Sequence, residues 1–210
     1  MISGVLESVM ARILRCAGVQ ADRRSAAIAG QAGPAAAAPA LCQNAPLMNL
    51  EDFESYRRFD TRSEALAGFD RIVGRTQRKL QLFDDSGEFW GLERKGFADA
   101  VQALLERHRD AAVTVVVHDP GFIERRCARL LALLRRRTPR LQVLRSDPST
   151  RGFSRGIVIA DATVVLRRPH FGQPRAFLDF GEAEVGAASA LFAELVDGAL
   201  PGITPSVTGL

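Results

Sequence analysis

The 210-residue chain has three cysteines, two lysines and no long apolar run, and each shortage removes a class of protein. Cys16, Cys42 and Cys127 are odd in number and show no C-x-x-C spacing. That argues against a disulfide framework and against a zinc site, and it fits a reducing cytoplasm. Lys79 and Lys95 are the only lysines. Arginine supplies the remaining positive charge, and together with abundant alanine this reads as a GC-rich coding bias rather than as chemistry. The most apolar run, 111–117, has the length of a buried strand and falls far short of the roughly 18 to 20 residues that span a bilayer. Also missing are G-x-x-x-x-G-K-S/T, G-x-G-x-x-G, H-E-x-x-H and G-x-S-x-G. Nucleotide hydrolysis, dinucleotide binding, zincin chemistry and the α/β-hydrolase elbow therefore have no support. No cofactor is implied.

What is present matches an ordinary globular composition. The formal charge is +4, of which four arginines against Glu7 and Asp22 in the first 48 residues contribute +2. The small remainder does not by itself point to nucleic acid. Met1 to Gly18 has amphipathic spacing through Val5, Val9, Ile13 and Leu14. It lacks a basic lead, and Arg12 and Arg15 interrupt the apolar core of a secretion signal, so a cytoplasmic protein is expected. Residues 26–46 are rich in alanine and punctuated by Gly33, Pro34, Pro39 and Pro46, with too little large apolar surface to offset chain entropy. Residues 1–48 are expected to be disordered, with Met48 as an alternative start.

The patterned part begins with Asn49 to Asp60, expected to pack as an edge segment. Thr61 and Glu64 have capping-box spacing, and Leu66, Phe69, Ile72 and Val73 then mark a helix to about Gln77. KLQLF is a strand ended by Asp84, Asp85, Ser86 and Gly87. Phe97 to Arg107 is helical, AAVTVVVHDP contains a buried strand, and Ile123 to Arg137 reads as one helix with Cys127 on its apolar face. LQVLRS is the next strand. GIVIADATVVLRR predicts a hairpin turning at Asp161 and Ala162. AFLDF is a last strand, and Glu182 to Leu200 a closing helix. This order predicts an α/β domain with a mixed, mostly parallel sheet and helices on both faces.

The segments RKLQLF, VTVVVHD, LQVLRS and FSRGIVIADATVVLRR resemble, in that order, one half of the phospholipase D superfamily, whose hairpin bears H-x-K-x-x-x-x-D. Residues 49–210 are also similar to an uncharacterised bacterial domain family, seen alone or beside an acetyltransferase-like domain, through HDP, CARLLALL, PHFGQPRAFL and VTGL. The resemblance implies a single phospholipase D-like domain over 49–210, a homodimer paired through its hairpin faces, and an acetyltransferase-like partner. It also places Asp161 at the motif's aspartate, Ser154 at the histidine and Gly156 at the lysine. Phosphodiester transfer on this scaffold needs an imidazole nucleophile and a phosphate-binding cation, which serine and glycine do not replace. Arg155 carries charge but would face the other side of the strand. The resemblance therefore implies a non-catalytic binding or regulatory module.

Two other constellations stand as candidates. His118 and Asp119 end the buried strand, where α/β sheets place functional groups, and would form an acid/base pair; the plainer reading is a helix cap and a loop hydrogen bond. Arg167, Arg168, His170 and Arg175 bracket PHFGQP and would converge with Arg151 and Arg155 on an anion such as phosphate or a nucleic-acid backbone. Here the plainer reading is a solvated hairpin and loop, and Arg135 to Arg137 reads as solvated surface too. Trp90, Phe89 and Phe97 read as core, as does Cys127. An enzyme or nucleic-acid binder built on these groups requires them to meet in one cleft.

Overall fold

The computed structural model describes residues 56–203. The expectations for residues 1–55, which include the first part of the expected edge segment, and for the chain after residue 203, lie outside the described residues.

Strand β1 (Arg57–Phe59) is the edge expected of the aromatic lead, and helix α1 (Arg62–Arg75) follows it. The Glu64 N–H donates to the Thr61 hydroxyl while the Glu64 carboxylate accepts from the Thr61 N–H, so the capping box forms in both directions. Ala65, Phe69, Ile72 and Val73 make the buried stripe of that helix. Then come β2 (Lys79–Asp84), α2 (Lys95–Arg107), β3 (Ala112–Val117), α3 (Gly121–Arg126), α4 (Ala128–Arg137) and β4 (Leu141–Arg145). A 3₁₀ turn (Pro148–Gly152) leads to β5 (Gly156–Ala160), β6 (Val164–Arg168), β7 (Ala176–Asp179), α5 (Glu182–Asp197) and β8 (Leu200–Pro201).

The eight strands form one sheet in the order β1-β7-β6-β5-β2-β3-β4-β8. The sheet is mixed and has helices on both faces, but it is not mostly parallel. Only β2 with β3 and β3 with β4 run parallel; the other five pairings are antiparallel. The reason lies in the connections. Helical crossovers join β2 to β3 and β3 to β4, whereas β4 reaches β5 through a short 3₁₀ turn at one end of the sheet, and β5, β6 and β7 follow without helices. Strands joined in that way reverse direction.

The long helix expected over 123–137 is also corrected. Cys127 adopts φ −100 and ψ 51 and divides it into α3 and α4, with neither glycine nor proline at the break to announce it. Cys127 is buried, and burial pushes its thiol up to about 12, so it behaves as core rather than as a nucleophile.

Alternation along the strands divides the core. Leu80, Leu82, Val113, Val115, Val143, Val158 and Leu166 face helices α1 to α4. Phe83, Val116, Ile157, Ile159 and Val165 face α5 through Val185, Ala188, Phe192 and Leu195. Both faces being covered explains why these strands read as continuous apolar runs. Trp90 and Phe97 pack around Phe69, inside the larger cluster.

The hairpin turns as expected, with Asp161 at φ 51 and Ala162 at φ 55, the two positive values a tight reversal requires. Asp161 then does more than turn. Its carboxylate accepts the N–H groups of Gln77 and Arg78 at 2.7 Å and of Lys79 at 2.8 Å, anchoring the hairpin to the start of β2. Asp161→Ala is expected to lower the unfolding free energy by about 2 to 4 kcal/mol in urea titrations, with Asp161→Asn retaining part of it.

Candidate functional site

Because β5 and β6 form a hairpin beside β2, the first residue of β5 and the last of β6 lie at the same sheet end as the carboxyl end of β2. Gly156 pairs with Arg168, and Phe83 with Ile157. Three residues pointing to the same face meet there: Asp84, Gly156 and Arg168. Arg168 is 7% exposed and Asp84 1%. Their ion pair spans 3.5 Å from Nη1 to Oδ1. Arg168 Nε donates to the Gln173 carbonyl at 2.9 Å, its Nη2 donates to the Phe171 carbonyl, and its guanidinium carbon lies 3.7 Å from the Phe89 ring centroid. The Asp84 Oδ2 accepts the Gly87 N–H at 3.0 Å. A cavity of about 270 Å³ opens over the pair, bordered by Arg62, Asp84, Phe89, Arg168 and Phe171.

Gly156 owes its identity to this packing. A Cβ there would sit 3.1 Å from Asp84 Oδ1 and 3.2 Å from Arg168 Cβ, tighter than ordinary contact. Burial raises Asp84 from its ordinary 3.8 to about 6, against the pull of the Arg168 charge. Burial also lowers Arg168, opposed by Asp84.

The remaining candidates do not join this cluster. His118 lies on the α5 side of the sheet, against Phe83, Phe153 and Phe171. Both its ring nitrogens are engaged, Nδ1 with Ser146 Oγ at 2.5 Å and Nε2 with the Phe153 carbonyl at 2.9 Å. Asp119 accepts the Gly121 N–H at 2.9 Å, a local turn at the start of α3. The Ser154 carbonyl accepts from Phe171, tying the loop to the strand entrance. Arg155 is exposed, 5.8 Å over the Phe153 ring. Asp161 lies at the opposite end of the hairpin from Gly156. His170 is exposed and accepts the Gly172 N–H, and Arg175 pairs with Asp60 at 3.3 Å. Arg167 engages Glu184 and Asp179. His118 and His170 thus occupy separate environments.

Sequence reasoning found Arg168 but missed Asp84 and Phe89, reading the first as turn and the second as core edge. The available signal was an aspartate directly continuing an apolar strand, KLQLFD, where burial follows from the register. Among the described residues no cluster of three or more His, Cys, Asp or Glu is placed to hold a metal, and no helix is long and apolar enough to cross a membrane.

Asp84 holds its proton more tightly folded than unfolded, so its contribution to stability is fully present below about pH 3.8 and is lost as the pH rises through about 6. The unfolding free energy of the wild type relative to Asp84→Asn is therefore expected to fall by up to about 3 kcal/mol between pH 4 and 7 in urea titrations.

No curated protein matches the chain. Among solved structures, it is similar to TrmBL2, an archaeal chromatin protein with a novel mode of DNA binding, at 14% identity and a TM-score of 0.56. That match covers 74% of this chain and 57% of the other. NucT from Helicobacter pylori is similar at 9% identity and a TM-score of 0.51, over 70% of this chain and 98% of NucT. The phosphatidylserine synthase of Haemophilus influenzae gives 12% identity and a TM-score of 0.51, over 73% of this chain and 40% of the synthase. Identities this low speak for the fold alone, which is phospholipase D-like. Residues 61–187, more than half of the chain, match the model of a domain of unknown function, DUF7931, and the chain belongs to that family.

Proposed function

We propose that this protein is a phospholipase D-like module that binds or regulates and does not catalyse phosphodiester transfer. One observation carries the reading: the position corresponding to the phosphate-binding lysine is Gly156, where the space for a side chain is taken by Asp84 and Arg168. Arg168, the nearest cation, directs its guanidinium to two carbonyls, a carboxylate and an aromatic ring, all within the protein. It acts as a clamp holding the 169–175 loop over the strand ends. Ser154 stands where the nucleophilic histidine belongs, and the imidazole of His118 is held on the α5 side between Ser146 and the Phe153 carbonyl. Phosphodiester transfer on this scaffold would then lack both its imidazole nucleophile and the cation at the lysine position.

The same reading includes the homodimer paired through hairpin faces, which sedimentation velocity would test by mass.

The full-length protein is expected to hydrolyse bis(p-nitrophenyl) phosphate no faster than its Ser154→Ala variant. The double variant Ser154→His/Gly156→Lys is expected to gain no activity and to lose about 1 to 3 kcal/mol of stability, because the lysine enters an occupied space. Wild-type turnover that disappears in Ser154→Ala, or activity restored by the double variant, would contradict the reading.

A further inference from the structure

The charge of the described chain is concentrated in one segment. Residues 124–145 hold eight arginines against a single acidic residue, Glu124, whereas the other described residues hold 16 basic against 18 acidic. This segment is α3, α4 and β4. Three of its arginines are engaged within the fold. Arg137 pairs with Glu106 at 2.9 Å, Arg140 donates to the carbonyls of Leu105, His108 and Arg109, and Arg125 folds back over Gly121 beside Asp119. Arg126, Arg129, Arg135 and Arg136 on the helices, and Arg145 at the end of β4, are exposed and make no ion pair among the described residues. Exposed Arg109 lies by the carboxyl end of α4, where its carbonyl accepts from Arg140.

Helix energetics account for only part of this. Cations in the last turn of α4 suit the negative pole of the helix, which covers Arg135 and Arg136. Arg126 ends α3 and suits the negative pole of that helix, but Arg129 sits in the first turn of α4, at its positive pole, with no acidic residue in that turn to offset it. A positive charge there works against the dipole, as do like charges along one helix. Elsewhere in the fold several arginines are matched to carboxylates, as in Arg94 with Asp70, Arg78 with Asp110 and Arg167 with Glu184. Helix α5 on the opposite face is the reverse case, carrying Glu182, Glu184, Glu194 and Asp197 and no basic residue.

We infer that the outer surface of α3 and α4 is a docking surface for a nucleic-acid backbone. Arg129 and Arg136 are seven residues apart, hence on one stripe and separated by about 10.5 Å of helix, a span over which a duplex presents several phosphates. Between them Ala132 is small and exposed, leaving room for a backbone to approach. A membrane fits less well, because the exposed large apolar residues among those described are Tyr56 and Leu200, neither of them on these helices. The acidic α5 faces away and orients the domain toward a polyanion. The surface is distinct from the strand-end cluster, so this inference stands or falls separately from the loss of catalysis.

The test is fluorescence anisotropy of the full-length protein with a labelled 20-base-pair DNA duplex over a series of salt concentrations. Neutralising about four phosphates predicts a log–log salt slope of roughly −3.6, cut to near zero in Arg126→Gln/Arg129→Gln/Arg135→Gln/Arg136→Gln, with affinity at 50 mM salt falling at least about 30-fold. The pair Arg129→Gln/Arg136→Gln is expected to halve the slope, and serves if the fourfold variant does not fold by circular dichroism. Arg155→Gln/Arg175→Gln, on the other side of the domain, is expected to bind like the wild type. Absence of duplex binding, binding unchanged by the α3–α4 substitutions, or loss of binding only to anionic phosphatidylglycerol vesicles would each overturn the inference.

Discussion

At the carboxyl end of β2 the structure depends on one buried ion pair, Arg168 with Asp84. A buried guanidinium costs several kcal/mol to remove from water unless its donors are matched, and here a carboxylate, two carbonyls and the face of Phe89 match them. The consequences run outward from that requirement. Gly156 must lack a side chain so that Asp84 and Arg168 can pack against its Cα. The loop after β6 must fold back so that the carbonyls of Phe171 and Gln173 reach the guanidinium. Asp84, held where water cannot stabilise its charge, titrates near 6 rather than near 3.8.

That arrangement connects fold to function. In the reading proposed above, this sheet end corresponds to the place where a cation and an imidazole would meet a phosphodiester. In this protein the cation is turned inward and the imidazole of His118 lies across the sheet, on the aromatic side formed by Phe83, Phe153 and Phe171. Positive charge is concentrated on α3 and α4, while α5 on the other face is acidic. The result is a domain with opposed faces of charge and a strand-end cluster bonded to itself.

Much of the fold was legible in the sequence because its signals are local. The capping box at Thr61 and Glu64, the turn at Asp161 and Ala162 and the covered runs of β2 and β3 each follow from two or three neighbouring residues. The strand directions were not legible in the same way. Helix–strand alternation suggested a mostly parallel sheet, but direction is set by how each strand is reached, and the short 3₁₀ path from β4 to β5 leaves little trace in hydrophobic pattern. The break at Cys127 has no glycine or proline to mark it. At the candidate site, the motif positions Ser154, Gly156 and Asp161 could be counted off, yet Asp84 and Phe89 could not be found, because their partners are 84 and 79 residues away in the chain. Arg168 was picked out for its charge; its inward orientation depends on register with Gly156, which composition does not carry.

The most direct measurement is isothermal titration of the full-length protein and its Arg168→Ala variant with tungstate, an oxyanion shaped like a phosphoryl group. If Arg168 is committed to Asp84 and the loop carbonyls, the wild type shows no tungstate binding that the variant lacks. Micromolar binding by the wild type that vanishes in Arg168→Ala would mean that the guanidinium is available to a phosphate, and that the strand end is a working anion site.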